Sequence, residues 1–359
     1  MRRVTAIAPV RPVGDPRPLA YSAGVRRPAY PMHQTFRHRT REIAERQERD
    51  LLAPGAARAA ESKGRAVPEP PDAHRTAFQR DRDRILHSNA FRRLKHKTQV
   101  FIDPEGDHFV TRMTHTLAVT QIARSLARYL SLNEDLAEAV ALGHDVGHSP
   151  FGHIGEEVLS EFVDGEWGHS LQSARIFRVL EPLNLTWEVL DGIETHPWKV
   201  AKGPATREGQ LVRLADRIAY LAHDAEDALR AGVIAADDFP HEAVAAFGDP
   251  GPAWIDAMIT AVVEESLRTG KVAMEPERLE VMHALRSFMF ERVYLRPEME
   301  PERRRAKTIV RDLVAHYLER PDLIPETYRH PESTSRVQVL DYVAGMTDRY
   351  AARAHNELG

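Results

Sequence analysis

The chain of 359 residues contains no cysteine. That removes disulfides, thiolate metal ligands and a cysteine nucleophile from consideration, and it fits a reducing compartment. No apolar run approaches the roughly 18 residues that a membrane-spanning helix needs. A secretory leader is not expected either, because Pro9 and Pro12 interrupt the stretch after Arg2 and Arg3 before an apolar segment forms. The expected location is therefore the cytoplasm, with no membrane partner. The formal net charge is only -4, too small for a global field that would draw in nucleic acid or an anionic surface. What remains is an ordinary globular balance, 42% hydrophobic and 28% charged, with ample material for a buried core.

Residues 1–41 carry nine arginines, one acid and six prolines. Such a segment buries little and reads as a solvated arm; single-stranded nucleic acid is the secondary partner its charge would suit. Residues 42–74 hold a short helix and a Pro/Gly-rich linker. From there the pattern is helical almost throughout: Thr76–Leu94, His115–Leu130 and Leu136–Val146 show apolar residues at helical spacing. Further helices are expected over 154–163, 169–181, 186–195, 207–231, 253–269, 275–294, 302–319 and 335–352. The single strand candidate is a short β-hairpin made by Thr98–Asp103 and His108–Thr111 around Pro104-Glu-Gly-Asp107. The fold class expected is all-α, with a hydrolase core over 75–232 and a C-terminal helical region over 233–359 packing on it.

Eight of the 18 histidines fall between positions 108 and 223. At their centre stands Leu142-Gly-His144-Asp145-Val-Gly-His148-Ser-Pro-Phe-Gly-His153-Ile-Gly-Glu156. The apolar flanks of His144-Asp145 place this pair inside the protein, where a charged Asp is costly unless it is paired or bound to metal. His115 opens one helix and Asp216 interrupts the apolar face of another, so the two can complete a mixed nitrogen and oxygen set. Such a set suits a divalent cation, Mn²⁺ or Mg²⁺ first, with Co²⁺, Fe²⁺, Ni²⁺ or Zn²⁺ as alternatives. Asp216, Tyr220 and Asp224 are spaced i, i+4, i+8 and share one helical face, the wall of a pocket or an ordinary half-buried face. Glu156 lies one turn beyond His153, where a carboxylate can orient an imidazole.

The order His115, His144-Asp145, Asp216 resembles the HD phosphohydrolase superfamily. The blocks Arg84-Ile-Leu-His-Ser-Asn-Ala-Phe-Arg-Arg-Leu94, Lys97-Thr-Gln-Val-Phe101, Thr111-Arg-Met-Thr-His-Thr-Leu117, Gly143–His153 and Asp341-Tyr-Val-Ala-Gly-Met-Thr-Asp-Arg-Tyr350 resemble its deoxyguanosine triphosphate triphosphohydrolase (dGTPase) family. The resemblance implies metal ligation by His115, His144, Asp145 and Asp216, and a catalytic His153 oriented by Glu156. It implies phosphate and sugar contacts from Arg112 and Gln99, with His148 and His169 near the phosphates. Tyr220 is then expected to stack on the sugar and Asp224 to read its 3′-hydroxyl. The implied reaction converts a deoxynucleoside triphosphate, dGTP or several dNTPs, to deoxynucleoside and inorganic triphosphate in a homo-oligomer. His153 would protonate the departing 5′-oxygen or act on the water. The sequence departs from the family at Ser149, where proline is usual, and at Arg217, where many members carry an acid. Cyclic dinucleotide phosphodiesterases need a Gly-Tyr-Pro motif, which is not found, and (p)ppGpp hydrolases place a Glu-Asp pair shortly after the His-Asp doublet, where this sequence reads Gly147-His-Ser-Pro150. A nucleotide-sensing or nucleic-acid-binding protein on the same fold is the alternative; it would be expected to have lost part of this set.

Overall fold

A computed structural model describes residues 38–100, 109–165 and 167–358. The fold is all-α. Among the described residues pairing of the β kind is confined to two isolated bridges, Arg65–Thr186 and Thr98–Thr111. The second is antiparallel and stands at the base of the expected hairpin, whose remaining residues 101–108 lie outside the described ones, as does most of the basic arm. No helix is long and apolar enough to cross a membrane among the described residues.

In chain order the helices are α1 (Arg41–Leu51), α2 (Ala77–His87), α3 (Asn89–Arg93), α4 (Arg112–Tyr129), α5 (Glu134–Gly143), α6 (His153–Ser160), α7 (His169–Arg175) and α8 (Trp187–Thr195). They continue with α9 (Arg207–Arg230), α10 (His241–Phe247), α11 (Pro252–Thr269), α12 (Pro276–Met289), α13 (Glu300–Glu319), α14 (Ser335–Ala344) and α15 (Asp348–Asn356). Four of the expected helices are interrupted, that of 275–294 by a π turn over Phe290–Tyr294. Ser88 takes extended backbone angles and its hydroxyl caps Phe91 N–H, so Thr76–Leu94 becomes α2 and α3. The helix beginning at His169 widens into a π turn over Ile176–Leu180. The stretch 335–352 breaks at Gly345-Met346-Thr347, where Thr347 caps Tyr350 N–H and starts α15.

Helix α5 is buried nearly all round: Leu136, Ala137, Ala139, Val140, Ala141 and Leu142 are at most 2% exposed. Helices with such a surface sit at the centre of a bundle, and α2, α4, α8 and α9 pack around this one. Asn133 caps its start, and Glu134 and Asp135 complement the dipole there. Its C-terminus therefore delivers the next residues, His144 and Asp145, to the middle of the molecule. A second apolar cluster joins Phe151, Val158 and Leu159 to residues of α13, α14 and α15.

Candidate metal centre and substrate pocket

The start of α4 and the middle of α9 meet His144 and Asp145 at the end of α5. Thr111 and Thr114 form a reciprocal cap on α4, which sets Arg112 and His115 in its first turn. Asp216 projects from the middle of α9. His115 Nε2 lies 3.1 Å from Asp216 Oδ1 and 3.8 Å from Asp145 Oδ2. His144 Nε2 lies 3.4 Å from Asp145 Oδ1 and 3.8 Å from Asp216 Oδ1. The four residues expected as ligands are thus brought together, and the ligand atoms of His115, His144 and Asp216 fall within 4.8 Å of one another.

The hydrogen bonds fix which nitrogen faces inward. His144 Nδ1–H donates to the Ala141 carbonyl at 2.6 Å, so its Nε2 presents a lone pair. That Nε2 is buried without a hydrogen-bond partner. A buried acceptor of this kind, beside two carboxylates, fits a divalent cation and is costly otherwise. In the metal-free protein a proton on this Nε2 takes the place of the cation. Burial opposes the charge on His144, but Asp145 and Asp216 outweigh it and lift its pKa to about 9. Burial likewise works against ionised Asp145, yet His144, His148 and Arg112 hold its carboxyl well below the usual range.

A second ring of groups adjoins the first. His148 Nε2 approaches Asp145 Oδ1 at 3.1 Å, while its Nδ1 stands 2.5 Å from Glu156 Oε1. His169 Nδ1 donates to Glu156 at 3.0 Å, and its ring stacks on His148 with centroids 3.9 Å apart. Glu156 therefore orients His169 directly and faces His148 at ion-pair distance. His153 opens α6 at the exposed mouth, within ligand-atom range of the same carboxylate. The protein around its ring, opposed by Glu156 and helped by His148 and Arg112, pushes its pKa down; the open edge of the ring makes that desolvation partial.

Arg112 is 2% exposed and spans both rings. Its Nη1 donates to Asp145 Oδ2 at 2.9 Å and its Nε to the Thr98 carbonyl at 3.0 Å, while Nη2 is buried without a partner. Gln99 follows Thr98, its side-chain oxygen buried and also without a partner. On α9, Asp216, Tyr220 and Asp224 follow one another at four-residue spacing along one helical face. Tyr294 donates its hydroxyl to Asp224 Oδ2 at 2.7 Å, and burial lifts the Asp224 pKa to about 7.

Several pocket residues were not singled out from sequence. His196 follows α8, donates Nδ1–H to the Ile193 carbonyl and places Nε2 3.3 Å from His169 Nε2. It forms a further ligand group with Asp145 and His169. Arg217, already noted in the sequence as a departure from the family, lies over Trp198 at 4.0 Å, with a buried, unpartnered Nε. Arg286 adds a second guanidinium beside Tyr220 and Arg217. The one local signal was a histidine before Pro197-Trp198; Arg286 and Tyr294 arrive from distant helices and had none.

A helical bundle with a buried His, His-Asp and Asp cluster defines the HD-domain phosphohydrolases. An HD domain model matches residues 112–221, and one for a phosphohydrolase-associated domain matches 272–357. A relative from Caldanaerobacter subterraneus subsp. tengcongensis, named deoxyguanosinetriphosphate triphosphohydrolase-like protein, is 49% identical over 326 residues, 89% of this chain and 96% of its own. Relatives of the same name from Desulfatibacillum aliphaticivorans and Clostridium perfringens are 45% and 43% identical, each covering 89% of this chain and 97% of their own. The chain belongs to the deoxyguanosinetriphosphate triphosphohydrolase-like family of HD phosphohydrolases.

Proposed function

We propose that the protein hydrolyses deoxynucleoside triphosphates at the α-phosphorus, releasing deoxynucleoside and inorganic triphosphate. The observation that carries this reading is Arg112. It is anchored on a carboxylate of the proposed metal cluster and on a backbone carbonyl, which leaves its Nη2 buried beside Gly152 without a protein partner. Buried guanidinium nitrogens without protein partners suit phosphate oxygens. The family's name for its curated members supports the same substrate class.

His115, His144, Asp145 and Asp216 would hold Mn²⁺ or Mg²⁺, which supplies Lewis-acid polarisation of a phosphoryl oxygen when bound. Arg112 and Arg217 would neutralise charge that develops on the phosphates. His153 would donate a proton to the departing 5′-oxygen, a contribution typically worth about 10²–10⁴-fold. Burial first, then His148 and Arg112, lower its pKa and make it a stronger acid, while a bound triphosphate would act in the opposite direction. Glu156 would act on this site through His148 and His169. Tyr220 would exclude a 2′-hydroxyl, while Asp224, steadied by Tyr294, would hydrogen-bond the 3′-hydroxyl.

The test is anion-exchange chromatography of the products from each dNTP and NTP with Mn²⁺ or Mg²⁺. Deoxynucleoside and tripolyphosphate should appear together, from deoxy substrates in preference to ribo ones. A diphosphate or monophosphate as first product would overturn the reading. Asp145→Ala should abolish both turnover and bound metal while leaving the helical content intact.

A further inference from the structure

The interior divides into two apolar clusters, and the division runs through the site. The residues proposed as metal ligands stand on α4, on α9 and at the end of α5, whose apolar faces lie in the first cluster. Helix α6, with His153 and Glu156, belongs to the second. Phe151, Val158 and Leu159 pack there with Ile309, Val310 and Leu313 of α13 and with Val339, Leu340 and Val343 of α14. Ion pairs from α13 to α6, Lys307 with Glu157 and Arg311 with Glu161, lie on the exposed side and add little. The side of the pocket that carries His153 is therefore seated on the C-terminal helices.

The turn before His153 is under constraint. Phe151 and Gly152 are consecutive residues at positive φ, 61° and 57°. A phenylalanine holds such a backbone only where its surroundings impose it. Space is short as well, since a Cβ on Gly152 would stand 2.8 Å from Arg112 Nη2. Asp348, the first residue of α15, supplies the constraint. Its Oδ1 accepts Phe151 N–H at 2.9 Å, and its Oδ2 accepts Thr98 N–H at 2.8 Å. Both partners lie far away in sequence, 197 and 250 residues off, so this carboxylate is engaged beyond its own helix. The buried Lys97 ammonium makes a parallel link, donating to the carbonyls of His148 and Ala344.

We propose that Asp348 is a positioning residue for this site: one carboxylate fixes both the turn that launches His153 and the Thr98 backbone on which Arg112 and Gln99 depend. The C-terminal helices thereby set the geometry of proton donation and phosphate contact while leaving metal ligation to the HD core. The kinetic part of the test rests on the function proposed above; the structural part does not.

The experiment compares wild type, Asp348→Ala and Asp348→Asn as full chains, in bound Mn²⁺ per chain, steady-state kinetics and peptide-resolved hydrogen exchange. Asp348→Ala should keep wild-type metal stoichiometry and lose kcat by about 10²-fold, the size expected from a misplacement near 1 Å. KM should change much less. Exchange should quicken in peptides covering 97–100 and 149–160, and stay as in wild type over 134–147 and 207–224. Asp348→Asn retains one accepting oxygen and should fall between the two; it decides the matter if the alanine variant does not fold. Parallel loss of metal, kcat and thermal midpoint would show a merely structural role and overturn the proposal. Unchanged exchange over 149–160 would overturn it whatever the substrate proves to be. Wild type without activity on any nucleoside triphosphate would sink the proposed function alone, because exchange and metal content still decide the role of Asp348.

Discussion

Asp224 holds its carboxyl where charge is expensive. It is 3% exposed, and burial raises its pKa to about 7 although the Tyr294 hydroxyl favours the ionised form. The consequence for stability has a definite sign. Below about pH 4 folded and unfolded chains both keep the proton. Between about pH 4 and 7 the unfolded chain loses it while the folded one retains it, so rising pH costs stability, at most about 1.4 kcal/mol per unit. Asparagine has no proton to lose and can still accept from Tyr294. Urea unfolding of wild type and Asp224→Asn at pH 5 and pH 8 should show the variant gaining on wild type at the higher pH. Curves that shift in parallel would contradict a raised Asp224. The cluster of His115, His144, Asp145 and Asp216 was legible at this scale because His144 and Asp145 are adjacent and flanked by apolar residues, and because a helix repeats faces every three to four residues. Tyr294 was not legible, for it meets Asp224 across 70 residues of chain through packing alone. Direct pairing of Glu156 with His153 was a fair expectation from a spacing of three, yet Glu156 hydrogen-bonds His169 and has His148 as its close ionic neighbour, both from outside that turn.

Helices were easier to read than their interruptions. Long apolar periodicity in α4, α5 and α9 left little choice, whereas the breaks at Ser88 and at Gly345-Met346-Thr347 depend on single capping side chains. Ser149, where the family usually has proline, also closes a turn: its hydroxyl donates to the Gly152 carbonyl at 2.9 Å. The crossing of the His144–His148 loop with α7 depends on a missing side chain. A Cβ on Gly147 would stand 2.3 Å from Ser173 N and 2.4 Å from the His169 carbonyl, both backbone atoms. Ser173 ties the same crossing, accepting Gly147 N–H and donating to the His144 carbonyl, each at 2.9 Å. Gly147→Ala must push α7 away and move His169 with it. It should lower stability by about 1–3 kcal/mol and reduce kcat, measured by denaturant unfolding and by turnover of the same preparation. An unchanged midpoint with unchanged turnover would mean that the crossing is looser than described.

At the scale of the whole molecule, the candidate site lies at the junction of two apolar clusters, one behind the proposed metal ligands and one behind His153. The sequence announced both contributors, since the blocks that resemble the family include Asp341–Tyr350 as well as Gly143–His153. It did not announce that they touch, because hydrogen bonds from Phe151 and Thr98 to Asp348 belong to the folded chain only. The central claim is chemical: water enters at the α-phosphorus and the nucleoside leaves through its 5′-oxygen. Phosphorus NMR of dGTP hydrolysed in water enriched in heavy oxygen tests it most directly. The expected spectrum shows intact tripolyphosphate with label on a terminal phosphorus, and mass spectrometry shows an unlabelled deoxynucleoside. Label in the deoxynucleoside, or orthophosphate or pyrophosphate in place of tripolyphosphate as the first product, would contradict the account.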